Sequence, residues 1–418
     1  MRAPPPPTHT GSAAAYDRAR RTIDAYIAST TSSPDARRGA GGVYAFHKPE
    51  TAVYGTAIVF HGGFGKPADT EVTFSYLHAN GFNVYAPPLA GHAFQGTRWP
   101  STRLRDEFGG NIARRLLLDD PVLGSVARRI SNGSLMAPVH MPDGFDLDEA
   151  MERALSVLQR GMTAAAYNTL VDAFQLLITA SAYPGKQAAL HRYFETDHMR
   201  YATEAAARVA DVAALPGPIM VLGYSMGGVE AMYAAAWSAG MVSRAVLYAP
   251  FVDAAAPPEQ PRLRYLLQAV GALDLYDVPV VNDTTIPSVI LPASSLVGHT
   301  LLDEGLQAAV RRQTDVFCVF AEDDGMSDVD AGLRACRDGV ASAGSRAFVY
   351  PARLKLNHFV APSRFNPFTE TLLKETWRFL ADGEVRSYRL LNKTGDPELP
   401  PVQEMGDMAA VEGHGSHS

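Results

Sequence analysis

A chain of 418 residues that is 47% apolar can bury a large core, so wholesale disorder is excluded, and the length suits one large α/β domain with insertions or two ordinary domains. The formal charge is −7 and no basic block interrupts it, which argues against a nucleic-acid partner. The only cysteines, Cys318 and Cys336, give no disulfide framework and read as buried free thiols.

The start, MRAPPPPTHTGS, has a proline run where a signal peptide needs an apolar stretch. This favours a cytoplasmic location over a secreted one whose signal was removed before this numbering. No apolar stretch reaches membrane-spanning length. Residues 1–12 read as a disordered tail and Ala13 to Thr30 as a helix with Ile23, Tyr26 and Ile27 on one face, so 1–42 forms an N-terminal tail and helix. Strands follow at Val43 to His47 and Tyr54 to Phe60, the second running into His61-Gly62-Gly63-Phe64-Gly65. A helix over Asp69 to Asn80 and a strand at Phe82 to Ala86 begin a parallel α/β sheet.

The regular alternation then breaks. About 125 residues separate His92 from the next strand, where an α/β unit needs only a loop and a helix. Tyr201 to Leu215 supplies that helix, so about 98–199 is an insertion. It carries helical patterns at Ile112–Leu118, Leu147–Leu158 and Met162–Tyr183. The third is apolar on most sides and must be buried, either as a packed helical subdomain or as a lid over a cleft. Strands at Ile219 to Leu222, Ala245 to Ala249, Val316 to Phe320 and Ala347 to Tyr350 complete the sheet, with helices at Val229 to Ala239, Asp330 to Ala343 and Phe368 to Ala381. Residues 257–314 suggest a second cap segment, and 383–418 a disordered tail.

Chemistry centres on Gly223-Tyr224-Ser225-Met226-Gly227, set between a strand and a helix. Strand, G-x-S-x-G, helix is the context of a nucleophile elbow, where the serine sits on a strained turn and its neighbours must lack bulk. A serine hydroxyl needs a base, and the base needs an orienting carboxylate. Both must lie past the C-terminal ends of strands, where loops meet over the elbow. His358 follows the last strand and is assigned as base; His61 and His92 also follow strands but precede the serine. Asp324, four residues past Phe320, is the preferred acid and Asp323 the second choice; Asp328 reads as a helix cap, and Asp253 is an alternative after the preceding strand. The oxyanion donors are the Met226 N–H and the Gly63 N–H, with Phe64 as alternative to Gly63; Phe64 and Tyr224 are also candidates for substrate contact. No cluster has zinc-ligand spacing, and no metal or cofactor is expected.

In that order, HGGFG, PPLAGH, GYSMGG, AEDD and NHF resemble the α/β-hydrolase superfamily, most closely the branch of monoacylglycerol lipases, lysophospholipases and carboxylesterases. The resemblance covers about 43–97, 200–255 and 314–381 and omits the insertion. It implies a mostly parallel sheet with helices on both faces and a large helical cap, in one hydrolase domain over 43–382. It also implies a second glycine after His92, where this chain has Ala93, and a glycine ahead of the acid, where it has Ala321. The expected activity is hydrolysis of an ester with an apolar group through an acyl-enzyme on Ser225. Amide or peptide hydrolysis and acyl transfer use the same triad, and a silent binding protein on the same scaffold is the reading of another class. An exposed apolar cap helix could dock on lipid. The sequence leaves the oligomeric state open.

Overall fold

The computed structural model describes residues 4–132, 147–256, 263–280, 284–340 and 342–400. Strands β1 (Val43–Ala45), β2 (Gly55–Phe60), β3 (Phe82–Ala86), β4 (Ile219–Tyr224), β5 (Val242–Tyr248), β6 (Asp315–Ala321) and β7 (Arg346–Tyr350) form one sheet in the order β1-β3-β2-β4-β5-β6-β7. β1 runs antiparallel to β3, and the other neighbours are parallel. The helices are α1 (Ala13–Thr31), α2 (Glu71–Ala79), α3 (Gly110–Asp119), α4 (Pro121–Asn132), α5 (Leu147–Gly161), α6 (Ala164–Ala182), α7 (Arg200–Val212), α8 (Met226–Trp237), α9 (Leu263–Ala272), α10 (Ile290–Thr300), α11 (Glu304–Arg311), α12 (Val329–Leu333) and α13 (Thr369–Asp382).

Alternation along the strands builds two cores. Ile58, Phe60, Val221, Leu247 and Cys318 pack on one face with α1, α7 and α8. Ala57, Val59, Leu222, Val246 and Phe317 pack on the other with α2 and α13. Parallel strands covered on both faces must be apolar throughout, which is why β2 is buried along its whole length. The sheet is mostly parallel and carries helices on both faces. Cys318 and Cys336 are free and buried.

The expected order is present, and several expected elements change. Residues 4–12 are not a loose tail: His9 and Val53 exchange backbone hydrogen bonds at 3.2 and 2.8 Å, and Ser12 Oγ caps α1 by accepting the Ala15 N–H at 3.3 Å. The helix expected over 330–343 is short, α12 passing into a π-helical turn at Arg334–Gly339. α4 was not anticipated, although Asp120-Pro121 is a helix-start signal: Asp120 Oδ1 accepts the N–H groups of Val122 and Leu123, both at 3.0 Å. α6 is buried on one stripe, through Leu170, Ala173, Leu177 and Ala180, while Asp172 and Gln175 are exposed, so it is not apolar-packed on most sides.

The insertion opens and closes in a two-stranded antiparallel ribbon, Thr102–Leu104 against Phe194–Thr196. Its helices share one core with the later segment: Leu117, Leu158, Leu170 and Leu177 pack with Ala272, Leu273 and Leu296. Of that segment, 257–262 and 281–283 lie outside the described residues.

The reading of 383–418 as disordered is corrected over 383–400; 401–418 lie outside the described residues. Leu390 and Leu399 are buried against the α2/α13 core. The polar composition misleads because its charges pair internally. Arg378, buried on α13, donates to Asp396 Oδ2 at 2.8 Å, and Arg386 contacts the same oxygen. Burial alone would raise the Asp396 carboxyl; the Glu398 N–H and then Arg389, Arg386 and Arg378 reverse that and hold it below its ordinary value. A carboxyl with a lowered folded pKa contributes stability that is present above its ordinary value and lost in acid. Asp396→Asn is therefore expected to cost about 3 kcal/mol in denaturant unfolding at neutral pH. The gap to wild type should hold down to pH 3.8 and narrow only as the pH falls below it, through the lowered folded value.

Candidate active site

The turn between β4 and α8 has room for glycine alone at two positions. A Cβ on Gly223 would sit 1.9 Å from the Gly227 carbonyl oxygen, and one on Gly227 would sit 2.2 Å from that of His61. Between them Ser225 holds φ 55°, ψ −120°, a strained conformation for a residue with a side chain. Its N–H donates to the Tyr248 carbonyl at 2.8 Å, and its carbonyl accepts from Gly228 at 2.9 Å and Phe251 at 3.1 Å. Ser225 is 8% exposed. Met226 is the first residue of α8, so its N–H has no acceptor within the helix.

The HGGFG loop lies against this turn. A Cβ on Gly62 would stand 2.9 Å from Tyr224 Cδ1 and 3.8 Å from Ser225 Cβ; one on Gly63 would stand 3.2 Å from Met226 Cβ. Phe64 packs instead toward Trp99, Tyr276, Ile286 and Ile290, residues of the insertion and the later segment. Tyr224 stacks loosely on His358, ring centroids 5.1 Å apart, and burial raises its hydroxyl pKa.

His358 and Asp324 come together from the loops after β7 and β6. His358 Nδ1 lies 2.8 Å from Asp324 Oδ2. Asp324 Oδ1 accepts the N–H groups of Met326 and Ser327 at 2.8 and 2.9 Å. Three hydrogen bonds thus hold the carboxylate in rotation against the imidazole. His358 is 3% exposed, and its Nε2 has no hydrogen-bond partner among the described residues. Asp323 is used differently: its Oδ1 accepts the Asn357 N–H at 3.1 Å, while Asn357 Oδ1 accepts from Gly325 at 2.9 Å and His358 at 2.8 Å. Two loops are thereby stitched reciprocally. Asn357 sits at φ 52°, which asparagine tolerates better than most residues. Asp328 caps α12, its Oδ1 accepting the Ala331 N–H at 2.9 Å. Asp253 contacts His299 and Arg264 rather than His358.

Sequence reasoning missed the supporting residues. His61 Nδ1 donates to the Gly62 carbonyl at 2.7 Å and its Nε2 accepts the Leu89 N–H at 3.1 Å, so one neutral tautomer braces both loops after β2 and β3. His92 stacks on Trp99 at 3.6 Å and faces Tyr201 Oη at 3.2 Å. Arg37, between α1 and β1, donates to the His92 carbonyl at 3.2 Å. Glu230 accepts the Ala90 N–H at 3.2 Å, and burial raises its carboxyl well above the ordinary range. Only a buried arginine or glutamate so close to a motif could have signalled these braces. Among the described residues no three His, Cys, Asp or Glu side chains gather as a metal set, and no helix is long and apolar enough to cross a membrane.

The chain matches no family model, and comparison with curated proteins gave no match. Among solved structures it is similar to one reported for the metagenome-derived lipolytic enzymes LipS and LipT, at 10% identity and TM-score 0.44, over 82% of this chain and 98% of that one. It is also similar to monoglyceride lipase from Saccharomyces cerevisiae, at 12% identity and TM-score 0.42, over 82% and 92%. A third likeness is the monoacylglycerol lipase of Paleococcus ferrophilus, at 11% identity and TM-score 0.41, over 79% and 95%. Likenesses this distant carry no argument about activity, which rests on the site itself.

Two outcomes are expected. Gly223→Ala should fail to fold or should lose several kcal/mol of stability, on the order of 4, because its Cβ meets backbone that cannot move, as melting and soluble yield will report. Burial pushes the His61 pKa down to about 3 and that of His92 well below its ordinary value. The unfolded chain therefore binds protons first, and stability falls as the pH drops below 6.5. The melting temperature should decline from about pH 7 to about pH 5, while the ring signals of His61 stay unmoved in NMR over that range.

Proposed function

We propose that this protein is a serine hydrolase that cleaves a carboxylic ester through an acyl-enzyme on Ser225. The observation that carries the reading is His358: Nδ1 is committed to a rotationally fixed Asp324, and Nε2 is unpartnered in the loop cluster beside the elbow. An imidazole held in that way is set up to take one proton at Nε2 and return it.

In this mechanism His358 Nε2 takes the Ser225 hydroxyl proton as Oγ attacks the ester carbonyl. The tetrahedral oxyanion is held by the N–H of Met226 and by that of Gly63, for which Phe64 is the alternative. His358 then protonates the leaving alcohol, and the acyl-enzyme forms. A water molecule, deprotonated by His358, attacks the acyl carbon; the proton passes back to Ser225 Oγ and the acid leaves. Asp324 keeps the Nδ1–H tautomer and stabilises the imidazolium. Neither half-reaction calls for a metal or an organic cofactor. The cluster of Trp99, Tyr276, Ile286 and Ile290 against Phe64 supports an apolar group in the substrate, because the insertion brings apolar side chains to the oxyanion loop.

The test is turnover of p-nitrophenyl esters from acetate to palmitate by wild type, Ser225→Ala and Asp324→Asn. Ser225→Ala is expected to lower kcat by about 10⁶-fold and Asp324→Asn by about 10⁴-fold, with KM nearly unchanged. An organophosphonate should label Ser225 in wild type. Folded wild type that neither hydrolyses an ester nor labels at Ser225 would mark the chain as a binding protein on this scaffold. Labelling without ester turnover would move the reading to amides or acyl transfer.

A further inference from the structure

Asp253 lies just past β5, is 3% exposed, and ends a short chain of alternating charges. Its Oδ2 accepts from Arg264 Nη1 at 3.0 Å, and the same nitrogen donates to Asp328 Oδ2 at 3.1 Å. Its Oδ1 accepts the Ala254 N–H at 2.8 Å and lies 2.8 Å from His299 Nε2. His299 reaches in turn, through Nδ1, to the Ser181 carbonyl in the last turn of α6. None of these four side chains hydrogen-bonds to Ser225 or His358 among the described residues, and the reaction described above uses none of them.

Its backbone carries the consequence. The Asp253 carbonyl accepts the Asp328 N–H at 2.9 Å, Ala254 bridges Ser327, and the Ala255 N–H donates to the Met326 carbonyl at 2.8 Å. Residues 253–255 and 326–328 thus form a strip of sheet-like pairing. Met326 and Ser327 on that strip supply both backbone donors to Asp324 Oδ1. A shift of the strip turns the Asp324 carboxylate, and Oδ2 with it.

We propose that Asp253 is a positioning residue for the reaction: with Arg264 and Asp328 it clamps the two edges of this strip and so aims Asp324 Oδ2 at His358. The inference rests on the triad reading above. A backbone bridge of three residues is short, and the side-chain clamp at its end replaces the missing length. The charges are largely removed from water, where each holds its neighbour more tightly than it would at the surface.

The experiment is a double-mutant cycle with an independent spectroscopic readout. Asp253→Ala is expected to lower kcat for the best p-nitrophenyl ester by about 10- to 100-fold with KM changed less than about twofold. In an Asp324→Asn background the same substitution should have no further effect, because both act through one carboxylate. In histidine-¹⁵N-labelled protein, the His358 Nδ1–H resonance, identified by its loss in His358→Gln, should shift or broaden in Asp253→Ala. If Asp253→Ala does not fold, Arg264→Gln is read in the same way. Equal losses in both backgrounds, or an unmoved resonance in a folded variant, would overturn the proposal. Should wild type hydrolyse no ester, the functional reading fails, and the resonance alone still decides whether Asp253 aims Asp324.

Discussion

Ser225 is held at φ 55° by contacts that leave it no alternative. Gly223 and Gly227 let backbone approach backbone where any side chain would collide, the Ser225 N–H is bonded to Tyr248 at the end of β5, and the Ser225 carbonyl to Phe251 just beyond it. The strain is thus stored between three parallel strands, β2, β4 and β5, and relaxing it would mean parting the centre of the sheet. The loops that approach the elbow inherit their positions from this point. The HGGFG loop comes off β2 next door, and the loops bearing Asp324 and His358 come off β6 and β7 on the other side.

Around that point the polar braces follow a single rule. Loops at the sheet's C-terminal edge are tied down by side chains that satisfy backbone groups: His61 joins the loops after β2 and β3, Asn357 and Asp323 join those after β6 and β7, and Glu230 on α8 gives the β3 loop a second tie. Loops lack ladder bonds, so their N–H and carbonyl groups need such partners if they are to be buried at all. Rigid loops in turn give a preorganised site, which is worth more than flexible ones recruited at each turnover.

The sheet and the elbow were legible because they are written in short-range patterns: β2 and β4 as apolar runs, the turn as G-x-S-x-G, His358 and Asp324 by their distance past a strand. The choice between Asp323 and Asp324 was open to reasoning on loop length alone, and the two aspartates in fact face adjacent residues of one loop, Asp323 the Asn357 N–H and Asp324 the His358 ring. What periodicity could not give were partners far apart in sequence. Asp253 read as a spare acid because its relation to Arg264 and Asp328 exists only once 253–255 and 326–328 pair. Residues 383–400 read as disordered because Asp396 looks like surface charge until Arg378 is known to be buried beneath it. The sides of α6 were misjudged for the opposite reason: an apolar stripe is enough to bury one side, and its remaining residues range from half-covered to exposed.

The ribbon of Thr102–Leu104 and Phe194–Thr196 brings the first and last residues of the insertion side by side. A segment whose two ends meet can change in length without parting the strands that carry it. The helical module thus enters and leaves the frame at one doorway, while its shared core with Ala272, Leu273 and Leu296 limits which of its faces could vary. The module and the loops that bear Ser225, Asp324 and His358 lie on separate pieces of chain, so a change in the one need not pass through the other.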